Sequence, residues 1–324
     1  MTDRSRQWTT GRKGLLPALL LAALTIAFST RGDHSDGATG VPGPGTTLAG
    51  CPVFPKNNPW NRDISRAAVH PRSGQYIRSI GKATNLHADF GSGRYGDYGI
   101  PFRIVGKKQK QIPVKFTAYG DESDRGPYPI PLNSHIEGGG EGDSHVIALP
   151  RGTCRLYELY RARRARGRWL ADSGAKFDLR SNELRPAGWT SADAAGLPIM
   201  PGLARAGEAS RGRITHALRV TVSETQRGYI HPARHFASSS DDRSLPPMGL
   251  RLRLKSGYGL TRFSGQTLTI MKALKKYGLI VADNGSDWYI SGTPDKRWND
   301  DVLDQLKTVP GRAFEAVETG RIHR

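Results

Sequence analysis

Ionisable side chains crowd the stretch from Asn133 to Arg161, NSHIEGGGEGDSHVIALPRGTCRLYELYR. A glycine-rich turn at Gly138 to Gly142 and a second turn at Pro150 to Thr153 divide it into three short segments with the period-two alternation of strands. Symmetric folding about Gly140 sets Glu137 opposite Asp143 and His135 opposite His145; folding about the second turn sets Leu149 opposite Cys154 and His145 opposite Glu158. Facing carboxylates repel unless a proton or a cation sits between them, so this register predicts chemistry on one face of the hairpin.

Two chemistries fit those residue types. His135, Glu137, Asp143 and His145 offer two imidazoles and two carboxylates, a donor set for a divalent ion such as zinc, manganese or iron, with Glu158 left over as a general base. Alternatively, Glu158, Asp143, His145 and His216 act directly as acids and bases on a polysaccharide, because strand positions with apolar neighbours perturb pKa values in the way catalysis needs. Paired carboxylates suit a glycoside hydrolase. Arg219 and Arg234 would hold an anionic uronate for a lyase, and Tyr160 and Trp189 would pack on sugar rings. A non-catalytic cell-wall or polysaccharide-binding protein needs only the basic faces and the aromatics. A closed cleft around Asp143, His145, Glu158 and His216 favours the enzyme; a flat aromatic face favours the binder.

The elements that must position these groups are short. Ser73 to Ile80 reads as a helix, while Tyr98 to Val105 and Ile112 to Thr117 read as strands joined by the turn GKKQKQ. Ile214, His216, Leu218, Val220 and Val222 alternate with Thr215, Ala217, Arg219 and Thr221, which makes a strand with an apolar and a polar face. Leu250 to Lys255 reads as a half-buried strand with a basic outer face. Many short strands with frequent turns predict a mainly β protein, a sandwich or jelly-roll-like body over residues 51–262. A small C-terminal α/β segment, 263–324, is expected to pack on it. Ser264 caps a helix there, Asn284-Gly285 signals a hairpin, and a second helix spans roughly Asn299 to Lys307.

The N-terminus supplies an address. Arg4, Arg6, Arg12 and Lys13 precede an apolar run from Leu15 to Phe28 and small residues suited to cleavage, the pattern of a signal peptide over 1–29. That run is too short for a stable membrane span. Residues 30–50, rich in Gly, Pro, Thr and Ser, read as a flexible linker. Only Cys51 and Cys154 are present, and in an oxidising compartment they predict one disulfide; closing so long a loop stabilises by roughly 4–5 kcal/mol on a chain-entropy account. Lipidation at Cys51 is disfavoured because some twenty polar residues separate it from the apolar run.

The formal charge is +19, and removing residues 1–29, with four basic residues and one acidic, leaves +16. Such a chain is drawn to anionic polymers, so anionic as well as neutral extracellular polysaccharide is an expected partner. The arginine run 161–168 is either a solvated loop or a clamp for polyanions. No specific nucleic-acid partner is expected. No phosphate-binding glycine motif occurs, and two paired cysteines leave neither a zinc finger nor a thiol nucleophile. The segments NPWNRDIS, GDSHVIAL, CRLYELY, LRPAGWTSADAAGLPIMPGLAR, HALRVTV, YIHPARHFASS and LKKYGLIVADNGSDWYISG resemble a family of secreted bacterial proteins, mostly described as hypothetical. The resemblance spans nearly everything after Cys51. It implies secretion and one long domain, and carries over no catalytic residues.

Overall fold

A computed structural model of the chain describes residues 46–324. The predicted signal peptide and residues 30–45 of the predicted linker lie outside the described residues. The linker's last residues do not behave as one: Thr47–Leu48 pairs antiparallel with Cys51–Pro52. Two anchors hold this segment, the Cys51–Cys154 disulfide and a 2.5 Å hydrogen bond from Thr46 Oγ1 to Glu208.

Ten strands build the two sheets that matter for the site: β1 (His87–Asp89), β2 (Phe102–Val105), β3 (Val146–Pro150), β4 (Arg155–Tyr160), β5 (Ser173–Asp178), β6 (Leu218–Val222), β7 (Arg251–Leu254), β8 (Leu279–Asn284), β9 (Tyr289–Ser291) and β10 (Phe314–Val317). One sheet has four strands in the order β5-β4-β3-β2; the other has six, in the order β10-β7-β8-β6-β9-β1. A three-stranded sheet of Val114–Phe116, Arg168–Ala171 and Arg163–Ala165 completes a β-rich fold. The four-stranded sheet is covered on both faces. Ile147, Leu149 and Leu156 join the same packed core as Leu218, Val220 and Val222, while Val146, Ala148 and Leu159 pack with Trp169 and Ala171 of the small sheet. All five residues of β3 are therefore buried, as expected of a strand covered twice.

Helix α1 (Ser73–Ile80) forms as the sequence predicts. Ser73 is also used structurally: its hydroxyl accepts the Ala316 N–H in β10. Helix α2 (Gly265–Lys276) starts after Ser264 as predicted, but the Ser264 hydroxyl accepts from Gln305 and not from the helix backbone; Asn299 does cap the short helix Asp300–Leu303, by accepting the Val302 N–H. The C-terminal segment has its expected α/β character, but it shares the main sheet: β8, β9 and β10 flank β6 and β7.

Several local expectations change. Leu279 to Ser291 is not a hairpin, because β6 lies between β8 and β9 and the Asn284-Gly285 connection crosses its end. Asp287 fixes that crossing by accepting from the backbone N–H and hydroxyl of Ser223. The two strands flanking GKKQKQ enter different sheets. The basic residues of β7 do not face water: Arg251 donates to the Pro59 and Tyr277 carbonyls, and Arg253 to those of Ile64 and Ala67 and to Glu315. The polar face is covered by residues 59–67, so these arginines act as hydrogen-bond hubs.

Candidate functional site: an acidic cavity beside the six-stranded sheet

The central hairpin forms with its register moved by two residues. Ile147 faces Glu158 and Val146 faces Leu159, so His145 lies opposite Tyr160 rather than Glu158. A two-residue slip preserves the face, because side chains alternate with period two. His145, Glu158 and Tyr160 thus point the same way. The preceding segment is no strand: Glu137–Gly140 is a tight helical turn with Gly138 and Gly139 at positive φ, and β3 takes β2 as its parallel neighbour instead.

This geometry corrects the metal set. His135 is exposed and pairs with Asp97 at 2.9 Å, away from the other three residues. His145 is buried with both ring nitrogens engaged, Nδ1–H donating to Glu137 Oε2 at 2.5 Å and Nε2–H to the Ala192 carbonyl at 2.9 Å. No ring lone pair is left for an ion. Burial opposes charge on this ring, but the Glu137 carboxylate outweighs it and raises the pKa to about 9; the same pairing holds Glu137 low against its own burial. Among the described residues no group of three or more His, Cys, Asp or Glu is arranged to hold a metal ion.

The four proposed acid–base residues do not converge either. Glu158 is fully buried and caps a turn, its Oε1 and Oε2 accepting the Ile199 N–H and its Oε1 the Met200 N–H. Burial raises its pKa to about 7 although those N–H groups oppose the shift. His216 belongs to a separate buried network, with Nε2 at 3.2 Å from Glu208 and 2.7 Å from Arg205. Of the four, only Asp143 lines the cavity described next, at its exposed rim.

That cavity, of about 300 Å³, is lined by Tyr119, Asp143, Tyr160, Asp193, Asp283 and His235, with small residues between them. Two of its carboxylates, Asp193 and Asp283, are held by Arg219, which the sequence offered as a substrate contact. The guanidinium is buried, gripping Asp193 through Nε and Nη2 at 3.0 and 2.8 Å, Asp283 at 2.9 Å and the Ser291 hydroxyl at 2.7 Å. Arg234 instead donates to the Arg185 carbonyl, and Trp189 lies under the Arg185 guanidinium, so neither reaches the cavity wall. Tyr160 does reach it, and there the expectation and the geometry coincide.

A β-bulge aims Asp283. In the parallel pair of β6 and β8, Val220 faces Val281 but Thr221 faces Asp283, so one residue of β8 is passed over. The extra residue switches the face, which is how bulges re-aim side chains, and Asp283 comes to the same side as Arg219. Asp193 arrives from the loop before residue 199: the Ser191 hydroxyl accepts the Asp193 N–H and donates to the Leu197 carbonyl, holding the turn. The Asp193 and Asp283 carboxylates therefore meet at one guanidinium nitrogen. Burial and the charge of Asp193 raise the Asp283 pKa to about 7. Tyr160 is raised by burial and by Asp143 and Asp283, so it remains a neutral phenol.

Asp193 and Asp283 were missed in sequence. The signal for Asp283 is a carboxylate closing the fully apolar run LIVA, a charge at the end of a buried strand, but the Asn-Gly that follows it reads as a hairpin turn. Fold and site define a β-rich, disulfide-bonded protein with an acidic cavity. Comparison of the chain with protein-family models, curated proteins and solved structures gives no match.

Proposed function

We propose that this is a secreted hydrolase of extracellular polysaccharide, acting on uncharged glycan chains. The observation that carries the reading is the meeting of Asp143, Asp193 and Asp283 at one tyrosine-edged cavity, where burial and the Asp193 charge raise the Asp283 pKa to about 7. Three carboxyl groups in different settings supply the two roles glycoside hydrolysis needs. Asp283 gives its proton to the glycosidic oxygen as the C–O bond breaks. Asp143, on the rim, takes a proton from the water that attacks the sugar carbon. Asp193 and Arg219 hold Asp283 in place, and the burial that raises its pKa keeps it an acid at neutral pH.

The cavity argues against an anionic substrate. No lysine or arginine lines it, and the one nearby guanidinium is already shared by two carboxylates. A uronate would meet three acidic side chains, so the lyase reading loses its support although the chain as a whole is basic. Export is supported by the N-terminal residue pattern and is compatible with the disulfide; among the described residues no helix is long and apolar enough to cross a membrane.

The test is Asp283→Asn. Turnover of a neutral polysaccharide is expected to fall by roughly 10²–10⁴-fold. In the native protein activity should decline as pH rises through about 7, where the acid loses its proton, and the variant should lack that limb. A variant with native activity and the native pH profile removes Asp283 from the chemistry.

A further inference from the structure

Among the described residues four large hydrophobic side chains are exposed: Val69, Tyr95, Tyr98 and Tyr119, by 49, 62, 56 and 47%. Three are tyrosines, and each lines a cavity. Tyr119 borders the acidic cavity, whereas Tyr95 and Tyr98 border a second one, of about 480 Å³, together with Tyr289, His87 and Asp89.

The second cavity is built and held open. Tyr95 and Tyr98 ride on the loop 91–99, whose start is pinned by Asp300, which accepts from the Ser92 N–H at 2.8 Å and the Ser92 hydroxyl at 2.5 Å. Gly91 leaves room for that carboxylate, since a Cβ there would lie 2.8 Å from Asp300 Oδ1. Gly96, at φ +138°, leaves room for the Tyr98 ring, which a Cβ would approach to 2.8 Å. On the opposite wall His87 stacks on Tyr289 with ring centroids 4.2 Å apart. Burial and Lys307 hold the His87 pKa below its usual value, so the ring is neutral and can both donate and accept. Lys307 itself is taken by Asp304 at 2.6 Å.

The two cavities draw residues from the same face of the six-stranded sheet. Ser291 of β9 faces Asp89 of β1, and the Ser291 hydroxyl is bonded to Arg219, which holds Asp193 and Asp283 of the acidic cavity. Asp89 lines the tyrosine cavity, and its carboxyl is raised by burial and by the charges of Glu137 and Asp143. Along the sheet, Asp283 faces Thr221, Thr221 faces Tyr289 and Tyr289 faces His87, so acid and aromatic wall are two to three strand spacings apart, ~10–15 Å.

We propose that the cavity of Tyr95, Tyr98, Tyr289 and His87 is a distal subsite that holds an uncharged glycan chain whose cleaved bond lies at Asp143 and Asp283. This deepens the hydrolase reading and rests on it. Pyranose rings present apolar C–H faces that stack on flat phenols and hydroxyls that bond to Asp89 and His87. A chain of several sugars spans the distance between the cavities, and a monosaccharide does not.

The test separates binding from turnover. In the Asp283→Asn protein, affinity for neutral hexasaccharides and disaccharides is measured by calorimetry, with and without the added pair Tyr95→Ala and Tyr98→Ala. Both tyrosines are exposed, and an unchanged thermal midpoint confirms that the variant is folded. The expected result is a loss of hexasaccharide affinity on the order of tenfold with disaccharide affinity unchanged. In an otherwise native protein the same pair should raise KM for long chains and leave kcat nearly intact. Equal hexasaccharide affinity with and without the tyrosines overturns the subsite, as does retention of a polyamine in place of the glycan. A tyrosine-dependent affinity in a protein that cleaves nothing upholds the subsite and removes only the hydrolase reading.

Discussion

Replacing Glu137 by Gln isolates the buried His145–Glu137 pair. His145 is raised from 6.5 to about 9 in the folded protein, chiefly because the Glu137 charge overcomes burial. A difference of that size, at 1.36 kcal/mol per unit, corresponds to about 3 kcal/mol of linked stability. Because the folded pKa lies above the unfolded one, the stabilisation is complete below pH 6.5, fades as pH rises, and is gone above about pH 9. Gln keeps an acceptor for the ring but not the charge, so the variant loses this pH dependence. Urea unfolding of both proteins at about pH 6 and about pH 9.5 reads the effect, and the other titrating groups cancel in the comparison. The stability gap between native and variant should shrink by about 3 kcal/mol across that interval, about 1 M in midpoint for an m-value near 3 kcal/mol/M. A gap that stays constant with pH would show that His145 is not a charged ring held by Glu137.

Three further outcomes follow from the packing. Asp193→Asn breaks the buried grip of Arg219 and should cost about 3–5 kcal/mol, read as a lower thermal midpoint, since it leaves a charge short of its partner. Cys154→Ser, or reduction of the native protein, should cost about 2–5 kcal/mol, because the Cys51–Cys154 bond closes a separation of 103 residues. Glu158→Ala should destabilise by about 1–3 kcal/mol per orphaned donor at Ile199 and Met200, whereas a direct role in turnover would show as lost kcat in a protein of native stability.

Much of the fold could be read from local pattern. The helix at Ser73–Ile80, the start of the helix after Ser264 and the strand character of 146–150 and 155–160 depend on neighbours close in sequence, and the disulfide followed from there being only two cysteines. What could not be read depends on what covers each face. Arg251 and Arg253 alternate with apolar residues and so read as solvent-facing, and Arg219 read as a substrate contact, but residues from distant segments cover all three with carboxylates and carbonyls. The Asn-Gly signal was sound as a turn and misleading as a hairpin, because a turn does not say which strand slides between its arms. The hairpin kept Asp143 and Tyr160 near one another, whereas Asp193 and Asp283 reach the cavity through a loop and a bulge that leave no spacing pattern.

The most direct measurement is a product assay on the protein, scored for reducing ends against a panel of neutral polysaccharides and, in parallel, uronate polymers. Cleavage of at least one neutral glycan with none of the uronates is the predicted result. Unsaturated products from a uronate, or no cleavage of any neutral glycan, would contradict the role assigned to Asp143 and Asp283.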